Sequence, residues 1–494
     1  MTRGNFVAVV SPNEWEAVKA ARAVAAQTKW TAWSGLPGSD GVTKALRAHQ
    51  WGAPTGTRGN AANTSAGLAG ASKVLSVSYE QPAVKHAPIG PYVAVADVRA
   101  DGSATVWTHS SQSQGLRVQV ANTLGLPVDR VTIKWTEGSG QYGRTTWGGD
   151  GAEADAAILS QLVGKPVSVQ WSMQEDLGWS TVSPAWVADV KAGLDANGRI
   201  VALQSDWYSP HENDARLLGA ILAGAPTTSP KASHGVSTQW PYDKIPAVIE
   251  QAFAMPNLGA SAPSGVGLRG NIMRTPWQRQ QNFAIEALMN EAAAAARVDP
   301  IEYRIIHTSN QRLIDILRAT AKAAAWTPRR SPHTGARRTG SAPLAGRGVA
   351  VMIRSGGHWA AIADVEVTPS TGRVVVKTFT VGLELGRIIN PRQLSRVTKG
   401  GIVQGLGEAL KEEVTLDAGK VTSTDWTRYK ILTMEEMPDI QMVQVPRNEA
   451  GFGTGGEAPN ALPPPAVAAA FFDATGVAPR RVPLTPEYVK RLLA

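Results

Sequence analysis

Tyr92-Val93-Ala94-Val95-Ala96-Asp97-Val98 alternates apolar and small or polar residues, the period-two signature of a half-buried strand. Ala104–Thr108 repeats the pattern as its hairpin partner. Working outward, Gln114–Leu124 has helical spacing and Val131–Trp135 is a further strand. A glycine-rich turn, Gly138–Gly143, then leads to Asp150 and Glu153, read as a capping box opening a helix over Ala152–Val163. Val167–Trp171 follows as a strand. Helices and short strands mixed in this way predict an α+β (mixed α/β) class.

The remaining segments extend the pattern. Phe6–Val10 reads as a strand, and Asn13 as the N-cap of a helix carrying Glu14, Val18, Ala21 and Ala25. Residues 31–72 are rich in Gly, Ala, Ser and Thr without periodicity and read as a loop. Phe283–Ala296 bears one apolar stripe (Ile285, Leu288, Met289, Ala292). Asp299-Pro300 starts the next helix, with the acid at the cap and proline in the first turn. A Pro/Arg/Ser/Gly stretch at 327–346 marks a boundary. Beyond it, Ala361–Val367, Pro369–Gly372 and Arg373–Thr380 form a hairpin, and a helix covers Gly401–Glu412. A Pro463–Pro465 turn precedes a helix over Ala466–Ala474.

Composition narrows the function. The 494 residues exceed one compact core. No apolar run approaches the ~18–20 residues that span a bilayer, and the N-terminus lacks the pattern of a secretory signal. The net charge of +9 comes from scattered residues apart from Arg329, Arg330, Arg337 and Arg338, which lie among linker-type residues; nucleic acid is not an expected partner. With no cysteine the chain cannot ligate an iron–sulfur cluster through thiolates or attach a c-type haem. Electrons from redox chemistry here must leave through another polypeptide.

Three loops could carry chemistry. In Gly451-Phe452-Gly453-Thr454-Gly455-Gly456-Glu457, close glycines can converge backbone N–H groups on an anion. Glu457 then reads either as a base beside a charged cofactor or as a solvated turn residue, and the local sequence leaves both open. Glu137-Gly138-Ser139-Gly140-Gln141-Tyr142-Gly143-Arg144 lies between strand and helix but lacks the G-x-G-x-x-G spacing of a dinucleotide site. Thr108-His109-Ser110-Ser111-Gln112 is a polar strand end. His86 and His358 show no metal-ligand spacing and read as structural.

Several motifs, in order, resemble the molybdopterin-binding large subunits of the xanthine dehydrogenase/aldehyde oxidase family. They are Tyr79-x-x-Pro82-x-x-x-His86-Ala87 with Pro91, Val106-Trp107…Gln112, Leu124-Gly125-Leu126-Pro127, and Gly140-Gln141-Tyr142-Gly143-Arg144. Ala284-Ile285-Glu286 with Asp299-Pro300-Ile301-Glu302-Tyr303-Arg304 resembles the family's helix pair. Ile389-Asn390-Pro391, Gly400-Gly401-Ile402-Val403-Gln404-Gly405-Leu406-Gly407 and Gly455-Gly456-Glu457 complete the series. Tyr142-Gly143-Arg144 and Ile89-Gly90-Pro91 look most like the branch of isoquinoline 1-oxidoreductase and nicotinate dehydrogenase.

The resemblance implies a remnant of a hammerhead-like domain at 1–30, a linker at 31–72, a first molybdopterin-binding domain at 73–326, a linker at 327–346 and a second such domain at 347–494. The strand Phe6–Val10 would then pair with strands of another chain that supplies the rest of the N-terminal region. It implies a molybdenum cofactor, as the cytosine dinucleotide, whose metal is held through the pterin and not by side chains; no iron–sulfur cluster, haem or FAD is expected in this chain. Glu457 would be the catalytic base and Gln112 would bond a ligand of the metal. Tyr142-Gly143 would occupy the loop whose backbone faces the metal, and Gly140, Gln141, Arg274, Gly400, Gly401, Gln404, Gly455 and Gly456 would hold the cofactor.

The implied reaction is hydroxylation of an N-heteroaromatic compound with water as oxygen source. Partners would be an iron–sulfur small subunit and a cytochrome c acceptor; the chain alone leaves the compartment open between a periplasmic or membrane-associated location through partners and the cytoplasm. An aldehyde oxidoreductase on the same scaffold, and a non-catalytic structural subunit, are the alternatives. Some residues depart from the family pattern. Tyr142 stands for the commoner Phe, Trp277 stands where glycine is usual, and Val397-Thr398-Lys399 replaces a Gln-x-Glu. No acid follows the Tyr142 loop, which argues against xanthine as substrate.

Overall fold

The structure, a computed structural model, describes residues 1–149, 151–227, 235–237, 239–255 and 268–494. Three sheets carry it. The first has the order Val131–Trp135, Ala104–Thr108, Val93–Val98, Val167–Gln170, with the first two strands parallel and the other pairs antiparallel. The helices Ser113–Leu124 and Ala152–Val163 bury their apolar sides on it, with Ala94, Ala96 and Val106 meeting Leu116, Val120 and Ala156.

The second sheet orders Gly56–Gly59, Ala247–Ala254, Ile200–Ser209, Trp186–Leu194 and Lys73–Gln81, and the third orders Leu344–Arg354, Gly357–Thr368, Arg373–Glu384 and Asp439–Gln444. Between them runs the helix Gln278–Ala296, buried on nearly every side. Phe283, Leu288 and Met289 share one core with Val190 and Trp207 of the second sheet and with Val349, Val351 and Ile362 of the third. A helix apolar only along one stripe could not fill both sides. Here alanines complete the circumference, and Glu286 is neutralised within the core.

Glu286 and Arg304, both with fully buried side chains, form an ion pair across the helix pair. The carboxylate also accepts Val351 N–H at 2.8 Å and the Tyr242 hydroxyl, so one acid ties the helices to the third sheet. Removing either partner would strand a charge in the core, at a cost of about 3–5 kcal/mol. Against the other face of the third sheet lie Pro391–Leu410 and Pro463–Thr475, around Ile402, Leu406, Val467 and Phe471.

Several expectations are corrected. Phe6–Val10 is a strand only at Phe6–Val7 and pairs with Thr2–Arg3 of its own chain, with Phe6 buried against Ile158, Leu159 and Val167. Residues 31–72 are not a loop: they contain the helices Val42–Ala48 and Ala61–Ala69 and the strand Gly56–Gly59. Asn60 caps the second helix through its side chain, and Gly67 lies against Ala202 and Ala247, so small residues give close packing without a hydrophobic stripe. Pro463–Pro465 is not a turn but the start of the helix Pro463–Thr475, where missing N–H groups cost no hydrogen bond. The helix Ala152–Val163 is capped by Gly151; Asp150 lies outside the described residues, and Glu153 is buried, accepting from Thr108 Oγ1 and Gly151 N. The helix placed at Gly401–Glu412 runs from Pro391 to Leu410, capped by Asn390.

Candidate functional site

Four segments distant in sequence meet at Arg274. Its backbone N–H donates to Tyr142 O at 2.8 Å, its Nε to Gly456 O at 2.7 Å and its Nη2 to Val397 O at 2.8 Å. Thr275 Oγ1 donates to Glu457 O at 2.6 Å, and Asn460 Nδ2 to Arg274 O at 3.3 Å. Arg274 is therefore a brace between the Tyr142 loop, the helix Pro391–Leu410 and the Glu457 loop. Burial lowers its guanidinium from the ordinary value, opposed by Tyr142 and Glu457.

The Tyr142 loop is shaped by backbone conformation. Gly140, Tyr142 and Gly143 all have positive φ, and a Cβ on Gly143 would sit 2.4 Å from Ile272 O. Behind the loop, Arg144 is clamped by both oxygens of Asp176 at 2.8 and 2.9 Å, fully buried and stacked on Tyr92. Gln141 is used internally: its amide N–H bonds His109 O and its oxygen accepts Thr145 Oγ1. Thr145 Oγ1 also accepts Ser111 N–H at 3.0 Å, which holds Gln112 beside this loop. The Gln112 side chain itself is exposed at the start of the helix Ser113–Leu124.

Glu457 is half-buried at the end of the glycine loop. Its Oε2 accepts Arg354 Nε at 2.7 Å and lies 2.6 Å from Nη2, while among the described residues no protein donor reaches Oε1. Arg354 in turn donates from Nη1 to Gln278 Oε1 at 2.9 Å, and Gln278 Nε2 donates to Ile353 O. Arg354, Gln278 and Thr275 are not singled out by the sequence. No local spacing connects a strand end at 354 to a loop at 457.

The glycines divide into two kinds. Gly401 packs closely on Pro459 and Arg274, and Gly455 on the side chain of Leu394. Gly400 and Gly456 open onto empty space. Gln404 Oε1 is buried with no hydrogen-bond partner among the described residues. Open backbone at Gly400 and Gly456, an orphaned buried acceptor at Gln404 and an uncommitted carboxylate oxygen at Glu457 together leave polar groups that a bound cofactor would satisfy, so the residues fit such a group. Trp277 stands at φ +58°, a left-handed conformation that glycine adopts without strain. His86 and His358 are buried and separate; His86 Nε2 lies 2.7 Å from Ile272 O. Among the described residues no group of three or more His, Asp or Glu side chains is placed to hold a metal ion.

Residues 48–230 and 284–438 both match the molybdopterin cofactor-binding domain. The chain belongs to the xanthine dehydrogenase family of molybdopterin-binding proteins. It is 34% identical to a subunit of the nicotinate dehydrogenase of Pseudomonas putida, over 99% of this chain and 40% of that one. It is 27% identical to the beta subunit of isoquinoline 1-oxidoreductase of Brevundimonas diminuta, over 84% of this chain and 50% of that one. The chain thus spans between two-fifths and half the length of these family members. The same fold occurs in the aldehyde oxidoreductase of Desulfovibrio gigas (TM-score 0.72, 17% identity, 96% of this chain and 68% of that one). It also occurs in quinoline 2-oxidoreductase of Pseudomonas putida 86 (TM-score 0.69, 15% identity, 96% and 84%). Among the described residues no helix is long and apolar enough to cross a membrane.

Proposed function

We propose that this chain is the molybdenum-cofactor-binding catalytic part of a multi-subunit hydroxylase acting on N-heteroaromatic compounds. The observation that carries the reading is Glu457, with one oxygen fixed by Arg354 and the other uncommitted. The names of the relatives above, which refer to nicotinate and isoquinoline, support the substrate class. Aldehyde oxidation on the same scaffold is the second reading, supported by 26% identity to the molybdenum-binding PaoC chain of an aldehyde oxidoreductase of Escherichia coli O157:H7 over 63% of this chain.

In the proposed reaction a ring C–H beside nitrogen becomes C–OH; water supplies the oxygen, and two electrons and two protons leave. The cofactor, when bound, supplies the redox-active metal that activates the oxygen and takes up the electron pair. The chain's own residues position and handle protons. Glu457 accepts a proton at Oε1, the oxygen with no protein donor. Arg354 fixes the carboxylate through Oε2. Gln112, exposed at a helix start, would hydrogen-bond a ligand of the bound metal, and the backbone of the Gly140–Gly143 loop would border the cofactor. Gly400, Gly401, Gln404, Gly455 and Gly456 would hold the pterin in its cytosine dinucleotide form, with Arg274 bracing the loops between. Electrons pass to an iron–sulfur small subunit, because this chain has no cysteine to hold a cluster, and from there to an acceptor such as cytochrome c.

The test is metal and nucleotide analysis of the natively purified complex, with turnover of pyridine, quinoline and aldehyde panels in ¹⁸O-labelled water. Molybdenum, released cytidine nucleotide and labelled hydroxylated heterocycle are expected. A complex without molybdenum would overturn the reading.

A further inference from the structure

Beside Glu457 lies a cavity of about 330 Å³. Gln239, Gln278, Gln281, Ser237 and Ser355 give it a neutral polar wall, and the indole of Trp277 gives it a flat one. Among the described residues lining it, Arg354 is the single charged side chain. A volume of this order is the lower range of small-molecule sites, enough for a one- or two-ring aromatic compound.

The donors of Arg354 are only partly used. A guanidinium carries five N–H groups. The edge formed by Nε and Nη2 faces Glu457 Oε2, and Nη1 donates to Gln278 Oε1. One N–H on each terminal nitrogen has no protein acceptor among the described residues. A planar fork with two parallel donors matches the two oxygens of a carboxylate.

We infer that Arg354 is the anchor for an acidic group on the substrate, so that this site takes an aromatic heterocycle bearing a ring carboxylate. The inference deepens the proposed function and rests on Glu457 marking the reaction centre. One guanidinium then holds the base on one edge and the substrate on the other, which fixes the ring's position relative to Glu457 Oε1. Trp277 stacks on the ring, and the neutral amides tolerate its substituents without competing for the anion. Gln278 limits the fork's rotation from the Nη1 side. Among the described residues no acidic side chain lines the cavity to repel the carboxylate; Glu457 stands beyond the guanidinium.

The experiment uses the full complex and a matched pair of probes, benzoate and benzamide, which differ in charge at nearly constant shape. Titration calorimetry should show benzoate binding at least tenfold more tightly than benzamide, with the preference shrinking as salt is added. Arg354→Met removes Glu457's partner and can destabilise the chain, so Arg354→Met/Glu457→Gln, which removes both charges, is the second variant. Both should lose the preference, and Arg354→Lys should keep part of it. Equal binding of the two probes by the native complex, or an unchanged preference in the double variant, overturns the anchor whatever the turnover results show. An Arg354-dependent preference in a complex that hydroxylates nothing would leave the anchor standing and remove the catalytic reading.

Discussion

Glu457 and Arg354, 103 residues apart, meet through one carboxylate oxygen, and the other is left without a protein donor among the described residues. That asymmetry is what the proposed role of Glu457 as a base requires. An ion pair using both oxygens would hold the carboxylate as firmly but leave neither oxygen free of a donor. The Arg274 brace adds the second requirement, since it joins the Glu457 loop to the Tyr142 loop and keeps the carboxylate at a fixed place on the site wall.

Packing around that brace gives a paired prediction. At Gly405 a Cβ would sit 2.4 Å from Asn460 O and 2.8 Å from the Pro463 ring. Alanine there gains about 1 kcal/mol of helix propensity but meets backbone, and overpacking costs about 1–3 kcal/mol. Gly405→Ala should lower the denaturation midpoint, and by moving Asn460 it should also slow turnover. Gly400→Ala meets nothing. It should leave stability equal or slightly higher while reducing the pterin retained on purification.

Glu212 predicts a pH dependence of stability. Burial raises its carboxyl to about 8, and its Oε2 has no partner among the described residues, while Gln280 donates to Oε1 at 2.9 Å. The folded state therefore keeps a proton that the unfolded state releases at about pH 4.3. Between these values the unfolded chain binds fewer protons, so stability falls as pH rises, by at most about 1.4 kcal/mol per pH unit from this group. Glu212→Gln removes the titration. Urea midpoints should show the variant gaining on wild type from about pH 5 to about pH 8, with the difference level above that; parallel curves would contradict the burial of an uncompensated carboxyl.

Gln112 should matter for rate and little for stability. Its side chain is exposed, and the segment is held by Ser110, Ser111 and Thr145. Gln112→Ala should lower kcat by about tenfold, the worth of a hydrogen bond of about 1.4 kcal/mol, with metal content and melting temperature unchanged. Unchanged kinetics would make Gln112 a surface residue.

Which features can be read in advance follows from how locally they are encoded. The strand Ala104–Thr108, the extent of the helix Ala152–Val163 and the Asp299 cap rest on neighbours within a few residues and stand where the sequence puts them, although that helix starts from Gly151 and not from the expected capping box. The helix Ala61–Ala69 is hidden because Ala, Gly, Ser and Asn carry no apolar stripe; its support is the fit of Gly67 against the second sheet. Pro463–Pro465 reads as a turn because three prolines suit either a turn or a helix start, and only the burial of the following residues decides. Glu457 can be singled out from its glycine loop and the family resemblance. Arg354 cannot, because an ion pair across separate segments leaves no local pattern.

The central claim is that Glu457 is the general base, and Glu457→Gln tests it most directly. The amide keeps size and can still accept a hydrogen bond from Arg354, but it does not take up the proton. Turnover measured at full molybdenum occupancy should fall by about 10²–10⁴-fold, with pterin and metal content near wild type because the surrounding loops are tied by Arg274 and Thr275. Wild-type turnover in a fully loaded Glu457→Gln complex would contradict the account.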